Sequence, residues 1–495
     1  MSIEEMVESY LGDGTLPDLP DRHFIAGDWA APVNGGRMET FDAGAARPFH
    51  VVAAGDAADV DRAVAAAERV QRAWGRTKPS ERGAILMRAA ALLRQEAARF
   101  AFAESLDSGK PLQEAEGDVA GAARAFEYYS GAADKIEGGT FPVGSDHIAY
   151  SLPEPMGVTA HIIPWNFPIS TAARGIAPAL AAGCTVVAKP ADTTPLTMLM
   201  LAELLVRAGL PTGVCNVVTG TGPDAGAPLV AHPGVRHVTF TGSVPTGIGV
   251  MQAAARNVAS VVLELGGKSP VIVFEDADLD AAADGVIGAI FENAGQICSA
   301  GSRLIVSRAV HGEMVARVVQ KAQAIEMGHG LRRPALGPLN SDAHLGRVRS
   351  AVESALSRGR RATIGGTVAT DPVTNAGWFF APTIFDDVPA DDALVQDEIF
   401  GPVLSVQVAE DEAHALQLAN CTDYGLVAGI YTADFGRAHR LARDVDAGQV
   451  YLNEYFAGGI EVPFGGNRRS GFGREKGFAA VRNYLRIKGV AGRIG

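Results

Sequence analysis

The segment "TVVAKPADTTPLTMLMLAELLVRAGL" (residues 185–210) decides the fold. Its first five residues form a short, mostly apolar run that is too brief for a helix and reads as a strand buried on both faces. A polar break follows. Thr194 is placed as an N-cap and Pro195 at the first helical position, where a missing N–H costs nothing. A long apolar helix then runs to Gly209. A strand that feeds a helix at once is half of a βαβ unit.

Working outward, the same alternation fills residues 156–266. "VTAHII" (158–163) reads as a strand, "CNVV" (215–218) as another, then "HVTFTG" (237–242) and "SVVLELGG" (260–267), with helices between. The prediction is a parallel α/β sheet. Ligands of such sheets bind beyond the carboxyl ends of the strands. Here those ends carry Asn166, Lys189, Gly220 and Gly222, Gly242 and Ser243, and Glu264. Order alone therefore gathers these groups on one edge. Two amphipathic helices precede the sheet and are expected to cover it, one through Val60, Ala63, Val64, Ala67, Val70 and Trp74, the other through Leu86, Ala89, Ala90, Leu93, Ala97 and Phe100. "TFPVGSDHIAYSLPEP" (140–155) reads as an exposed hairpin or interface arm. "YLRIKGVAG" near the C-terminus reads as an edge strand for another subunit.

The 495 residues allow two to four packed units. A net charge of −13 argues against nucleic-acid or anionic-membrane partners, because phosphate is repelled over most of the surface. No basic, apolar leader opens the chain, and no apolar run is long enough to span a bilayer. The four cysteines lie far apart without metal or disulfide spacing, which fits a reducing cytoplasm.

Three motifs admit competing readings. Gly220–Gly226 (GxGxxxG) is one residue too long for the dinucleotide fingerprint and lacks its acidic partner. "TFTGSVPTG" (239–247) is better, because Gly242 and Ser243 open a helix whose free N–H groups suit a pyrophosphate. "EDADLDAAAD" mimics a calcium loop but has Ala281 and Ile287 at its sixth and twelfth positions, so helix capping explains it better. No metal site is expected.

Cys298 stands in "NAGQICSAGSR" (293–303) among small and polar residues. A buried, inert thiol is the ordinary reading and fits Cys184, Cys215 and Cys421. Cys298 sits instead in a loop that can bring a thiol and a backbone N–H to a ligand. A cysteine hydrolase would add a histidine, and none stands in a known signature.

These residues carry a resemblance. "IPWNFP" (163–168), "AKPAD" (188–192), "FTGS" (240–243), "LELGGKSP" (263–270), "NAGQICSAGSR", "EIFGPV" (398–403) and "PFGGNRRSGFGREKG" (463–477) occur in order, and the sequence resembles the NAD(P)-dependent aldehyde dehydrogenase superfamily from about residue 20 onward. The resemblance implies a Rossmann-like cofactor domain (1–135 and 156–266), an α/β catalytic domain (267–466) and small β oligomerisation elements (136–155 and 467–495), assembled as a homodimer or homotetramer. It implies that Cys298 attacks an aldehyde, that Asn166 and the Cys298 N–H hold the oxyanion, and that Glu264 activates the deacylating water. For the cofactor it implies Lys189 at the adenosine ribose and Glu398 at the nicotinamide ribose with Phe400 beside the ring. Ile163, Trp165, Gly222, Gly242 and Ser243 are placed on the adenosine and pyrophosphate path.

Two departures bear on specificity. Asp192 stands where NAD-preferring members usually have Glu; its charge still opposes a 2′-phosphate, so NAD is favoured and NADP stays open. Ser170, Thr171 and Arg174 replace bulky apolar residues of many relatives, which with Phe167 and Phe464 gives a mixed aromatic and polar pocket. Arg174 either meets an acidic or polar substrate group or lies on the helix surface. Other readings of the chain are a CoA-acylating semialdehyde dehydrogenase, a cysteine hydrolase and a non-enzymatic crystallin-like protein.

Overall fold

A computed structural model describes residues 2–494. Five parallel strands, β1 (Val158–Ile162), β2 (Thr185–Lys189), β3 (Cys215–Val217), β4 (Val235–Thr241) and β5 (Ser260–Glu264), lie in the order β3-β2-β1-β4-β5. The order reverses between β1 and β4, and this switch point opens a crevice at the strand ends. His23–Ile25 and Gly471–Phe472 extend the sheet antiparallel at its two edges.

Helices sandwich this sheet. Val60, Ala63, Val64 and Ala67 of Ala57–Arg76 share a core with Val158, Val187 and Val238 on one face. Leu86, Ala89 and Leu93 share a core with Val186 and Ala188 on the other. Each fully buried Val or Leu contributes roughly 1.5–3 kcal/mol. The second predicted helix divides: Pro79–Gln95 stops at Glu96 and Ala97–Ser108 starts anew, so Ala97 and Phe100 continue the apolar period across a break. The helix after β2 runs Leu196–Arg207 without a side-chain cap of its own. Thr194 does not cap it; Asp107, from a distant helix, accepts from the Leu196 N–H at 3.0 Å.

A second sheet contains β6 (Pro270–Val273), β7 (Arg303–Ser307), β8 (Thr383–Phe385), β9 (Val403–Ala409), β10 (Val427–Tyr431) and β11 (Gln449–Leu452), parallel in the order β8-β9-β7-β6-β10-β11. Asp278 caps the helix Leu279–Phe291 by accepting from the Asp280 and Ala281 N–H groups, as the aspartate run suggested, and among the described residues no cluster suits a metal ion. Because Cys298 precedes β7 and Glu398 precedes β9, the amino edge of this sheet faces the carboxyl edge of the first.

Residues His147–Pro155 and Leu485–Arg493 form an antiparallel two-stranded ribbon. The C-terminal strand thus finds its partner within its own chain. Phe141 and Ser151 donate across to Ala149 and Gly139, folding the start of the arm back as a hairpin. Among the described residues no helix is long and apolar enough to cross a membrane.

Candidate active site

Cys298 is placed by an unusual approach. Asn293 (φ 47°) and Ala294 (φ 54°) are left-handed, as is Gly295 (φ 73°), and the two non-glycine residues carry strain that a functional loop tolerates. Gln296 secures the turn: its side chain donates to the Asn293 carbonyl and accepts from the Asn340 N–H. The Gln296 carbonyl accepts from Asn166 Nδ2 at 2.9 Å, while Asn293 Nδ2 donates to the Asn166 carbonyl at 3.1 Å. Asn166 and the Cys298 loop are therefore locked together although 132 residues separate the two side chains in sequence. An amide nitrogen has two hydrogens. One is fixed on Gln296, and the other remains for an anion. Among the described residues no carbonyl accepts from the Cys298 N–H.

Glu264 ends β5 and is 2% exposed, and neither carboxylate oxygen has a hydrogen-bond partner. Burial holds its pKa well above the usual range, and the nearby Glu475 adds to this against Arg174 and Arg474. Gly465 leaves it room, since a Cβ there would lie 2.7 Å from Glu264 Oε1. Burial also pushes the Cys298 thiol up to about 12, opposed by Arg174, with Glu264, Glu398 and Glu475 raising it further. The sulfur is a protonated thiol at neutral pH and needs a base before it can attack.

The glycines of "LELGGKSP" join the two sheets. A Cβ on Gly266 would meet Glu398 Oε2 at 2.1 Å, and one on Gly267 would meet the Cys298 carbonyl at 2.5 Å. The Gly267 N–H donates to Glu398 Oε1 at 2.9 Å. Burial pushes Glu398 up to about 7, countered by this bond and by Lys268. Phe400 adopts a left-handed φ of 60° and packs edge-on to Trp165, ring centres 5.4 Å apart. Trp165, expected on the adenosine and pyrophosphate path, thus lies beside Phe400. The carbonyl of Phe400 accepts from His344 Nε2 at 2.7 Å; burial lowers the His344 pKa to about 4, so the ring is neutral and its proton sits on Nε2. His344 was not legible in the sequence.

The sheet edge offers a cradle for a dinucleotide. Lys189 is buried at the end of β2, its pKa lowered by burial against the exposed Asp192, and among the described residues no oxygen accepts from its ammonium. Ile163 donates from its backbone to the Lys189 carbonyl, fixing the ends of β1 and β2 side by side. Ser243 caps Val244–Ala255, its hydroxyl facing the Thr246 N–H, which leaves a helix N-terminus directly after Gly242. Nothing crowds Gly222. A buried cation without a hydrogen-bond partner, a helix N-terminus and an acidic group at Glu398 fit the ribose and pyrophosphate of a dinucleotide.

The third wall is aromatic. Phe167, Cys298, Tyr451, Tyr455, Phe456 and Phe464 belong to one apolar cluster. Arg174 is no surface arginine. Its guanidinium stands 5.5 Å from the Phe464 ring centre, its Nε lies 3.3 Å from Glu475 Oε2, and it donates to Thr171. Glu475, Lys476, Lys110 and Glu104 also shape this region, and sequence reading had not singled them out.

The sequence matches the aldehyde dehydrogenase family over residues 29–490. A provisionally named aldehyde dehydrogenase from Burkholderia cenocepacia is 44% identical with a TM-score of 0.93, covering 96% of this chain and 100% of its own. Betaine aldehyde dehydrogenase from Staphylococcus aureus, solved with NAD+, is 33% identical with a TM-score of 0.94, covering 96% of this chain and 95% of its own. Indole-3-acetaldehyde dehydrogenase from P. syringae, also solved with NAD+, is 36% identical over the full length of both chains with a TM-score of 0.96. The chain belongs to the aldehyde dehydrogenase family.

Proposed function

We propose that Cys298, Glu264 and Asn166 carry out the reaction that family membership assigns to this chain, the oxidation of an aldehyde to a carboxylate with NAD. The observation that supports these roles is the lock between Asn166 and the Cys298 loop, which keeps the Asn166 amide and the unused Cys298 N–H in one rigid unit. A base takes the Cys298 proton and the thiolate attacks the carbonyl carbon, giving a thiohemiacetal whose oxyanion meets the Asn166 amide and the Cys298 N–H. The nicotinamide, when bound, supplies the hydride acceptor. Glu264 then draws a proton from water, which attacks the Cys298 thioester and releases the acid. Its raised pKa makes it a stronger proton acceptor than an ordinary carboxylate.

Lys189 and Asp192 would hold the adenosine ribose, Gly222, Gly242 and Ser243 the pyrophosphate, and Glu398 with Phe400 and Trp165 the nicotinamide end. Phe167, Phe464 and Arg174 would line the substrate pocket. The change from the first sheet to the second between Glu264 and Pro270 supports a division into cofactor and catalytic units near residue 267. All four cysteines are free, which supports a reducing, cytoplasmic setting. The ribbon of His147–Pro155 and Leu485–Arg493 exposes Ile148, Leu152 and Ile487, which supports assembly as a homodimer or homotetramer; light scattering would give the number.

Assay of an aldehyde panel with NAD and NADP, with and without CoA, tests the reading. Acid formation without CoA is expected, and strict CoA dependence yielding acyl-CoA would replace it with the acyl-transfer reading.

A further inference from the structure

The substrate end of the site carries a charge imbalance that Arg174 does not explain. Arg174 comes from the helix Pro168–Ala182, and Arg474 and Lys476 come from the loop after Phe464. Two of the three cations are answered within the chain. Arg174 faces Glu475 at 3.3 Å. Arg474 donates to the Gly466 and Gly473 carbonyls and to Asn467 Oδ1. Asp118, whose charge also reaches Arg174, is held by Lys110. Among the described residues the Lys476 ammonium makes neither a hydrogen bond nor a close ion pair; Glu475, Glu264 and Glu461 act on it only at longer range. Its ammonium stands 5.3 Å from the centre of the Phe464 ring, the same ring that Arg174 approaches.

A second observation is independent of charge. Lys476 has φ 56° and ψ 173°, a backbone region that glycine alone enters freely. The backbone bonds between Phe464 and Glu475, 2.7 and 2.8 Å, and the Gly477 N–H bond to the Ile460 carbonyl clamp both sides of it. The strained turn holds a lysine against the aromatic wall of the pocket. Both oxygens of Glu264 and of Glu475 are buried nearby without hydrogen-bond partners, and Arg174 stands 3.3 Å from Glu475, so Lys476 is the cation of the three with neither an ion pair nor a hydrogen bond of its own among the described residues.

We propose that Lys476 anchors an acidic group on the substrate, so that the preferred substrates are aldehydes with a ring-sized apolar body ending in a carboxylate. The proposal rests on the reading of Cys298 as the aldehyde-attacking residue. The aromatic cluster around Cys298 takes the apolar body, and the ammonium over Phe464 takes the acid. Arg174 sets the wall and faces Glu475, its Nε 3.3 Å from Glu475 Oε2. Burial and Arg174 lower the Lys476 pKa to about 8, against Glu475, Cys298 and Glu264; a bound carboxylate would favour its charged form again.

The test compares kcat/KM with NAD for 4-carboxybenzaldehyde, its methyl ester and benzaldehyde. Wild type is expected to prefer the acid over the ester at least tenfold at pH 7. Lys476→Met should cut that ratio about tenfold, mainly through KM, and Lys476→Arg should keep most of it. Lys476→Gly, which removes the backbone strain, should fold and lose the ratio as the methionine variant does. Wild type that oxidises the neutral aldehydes without preferring the acid overturns the proposal and leaves the dehydrogenase reading standing. A ratio unmoved in Lys476→Met and Lys476→Gly but lost in Arg174→Met overturns it in favour of Arg174. Wild type inactive on every aldehyde overturns both readings.

Discussion

The ammonium of Lys110 lies 4.2 Å from the centre of the Phe167 ring, beneath the residue that follows Asn166. Lys110 is fully buried between Glu104 and Asp118. Glu104 in turn accepts from the Ile169 N–H and the Thr197 hydroxyl, serving the first turn of a helix that has no cap of its own. Burial alone would keep Glu104 protonated, and it pushes the group up to about 7 against the pull of Lys110. This charged cluster is the foundation under the oxyanion residue. Removing the cation leaves two buried carboxylates unmatched, which costs roughly 3–5 kcal/mol. Lys110→Met is expected to unfold several degrees below wild type. The Lys110→Met, Glu104→Gln double variant should lose less than the sum of the single losses; strict additivity in calorimetry would sever the link.

Asn166→Ala removes the amide hydrogen aimed beside Cys298. A lost oxyanion donor costs about 10²–10³ in kcat. Steady-state rates with any good aldehyde substrate check this, and a loss seen only in KM would move Asn166 from the chemistry to ground-state binding.

Cys298→Ala should abolish aldehyde oxidation while NAD still binds in calorimetric titration. Residual full activity would remove the thiol from the mechanism.

The raised pKa of Glu264 has a definite sign. The carboxylate, the form that can accept a proton, accumulates only as pH rises through the raised value. Activity, as kcat, is therefore expected to climb with pH from the acid side. Glu264→Gln should lower it by roughly 10²–10⁴. The same climb in Glu264→Gln, undiminished in size, would assign it to another group.

Lys476 titrates in the opposite sense. It is charged below about 8 and neutral above, with Arg174, Glu475, Cys298, Glu264 and Glu461 as the charged or titratable groups that act on it. The preference for a carboxylated aldehyde over its ester should be full near pH 6.5 and fade above pH 8. Since Glu264 raises all rates with pH, the ratio of the two substrates is the quantity to follow. A ratio flat from pH 6.5 to 9.5 would exclude Lys476 from recognition.

Much of this site was legible because parallel sheets convert sequence order into spatial order. Asn166, Lys189, Ser243 and Glu264 each follow a short apolar strand, and strand ends share one edge whatever the helices between them do. Period-based reading failed where a helix could break without disturbing its apolar stripe, as at Glu96 between Leu93 and Ala97. It missed the Lys110 and Glu104 cluster because buried charges resemble solvated ones until their partners, 6 to 93 residues away, are known. The cap of Leu196–Arg207 was hidden for the same reason, as Asp107 performs locally what Thr194 was placed to do. Arg174 had two readings on sequence alone, and neither included Glu475, which lies 301 residues downstream.

The passage from β5 through Gly266 and Gly267 into β6 is only five residues long, Leu265 to Ser269. Within it Leu265 donates to the Ser470 carbonyl and Gly267 donates to Glu398, and a Cβ on Gly267 would come within 2.5 Å of the Cys298 carbonyl. The strand that holds the base and the loop that holds the thiol are thereby riveted together. Opening the two halves like a jaw would shear these bonds first. A junction tied in this way leaves side chains and bound molecules, rather than the two sheets, as the parts free to shift during turnover.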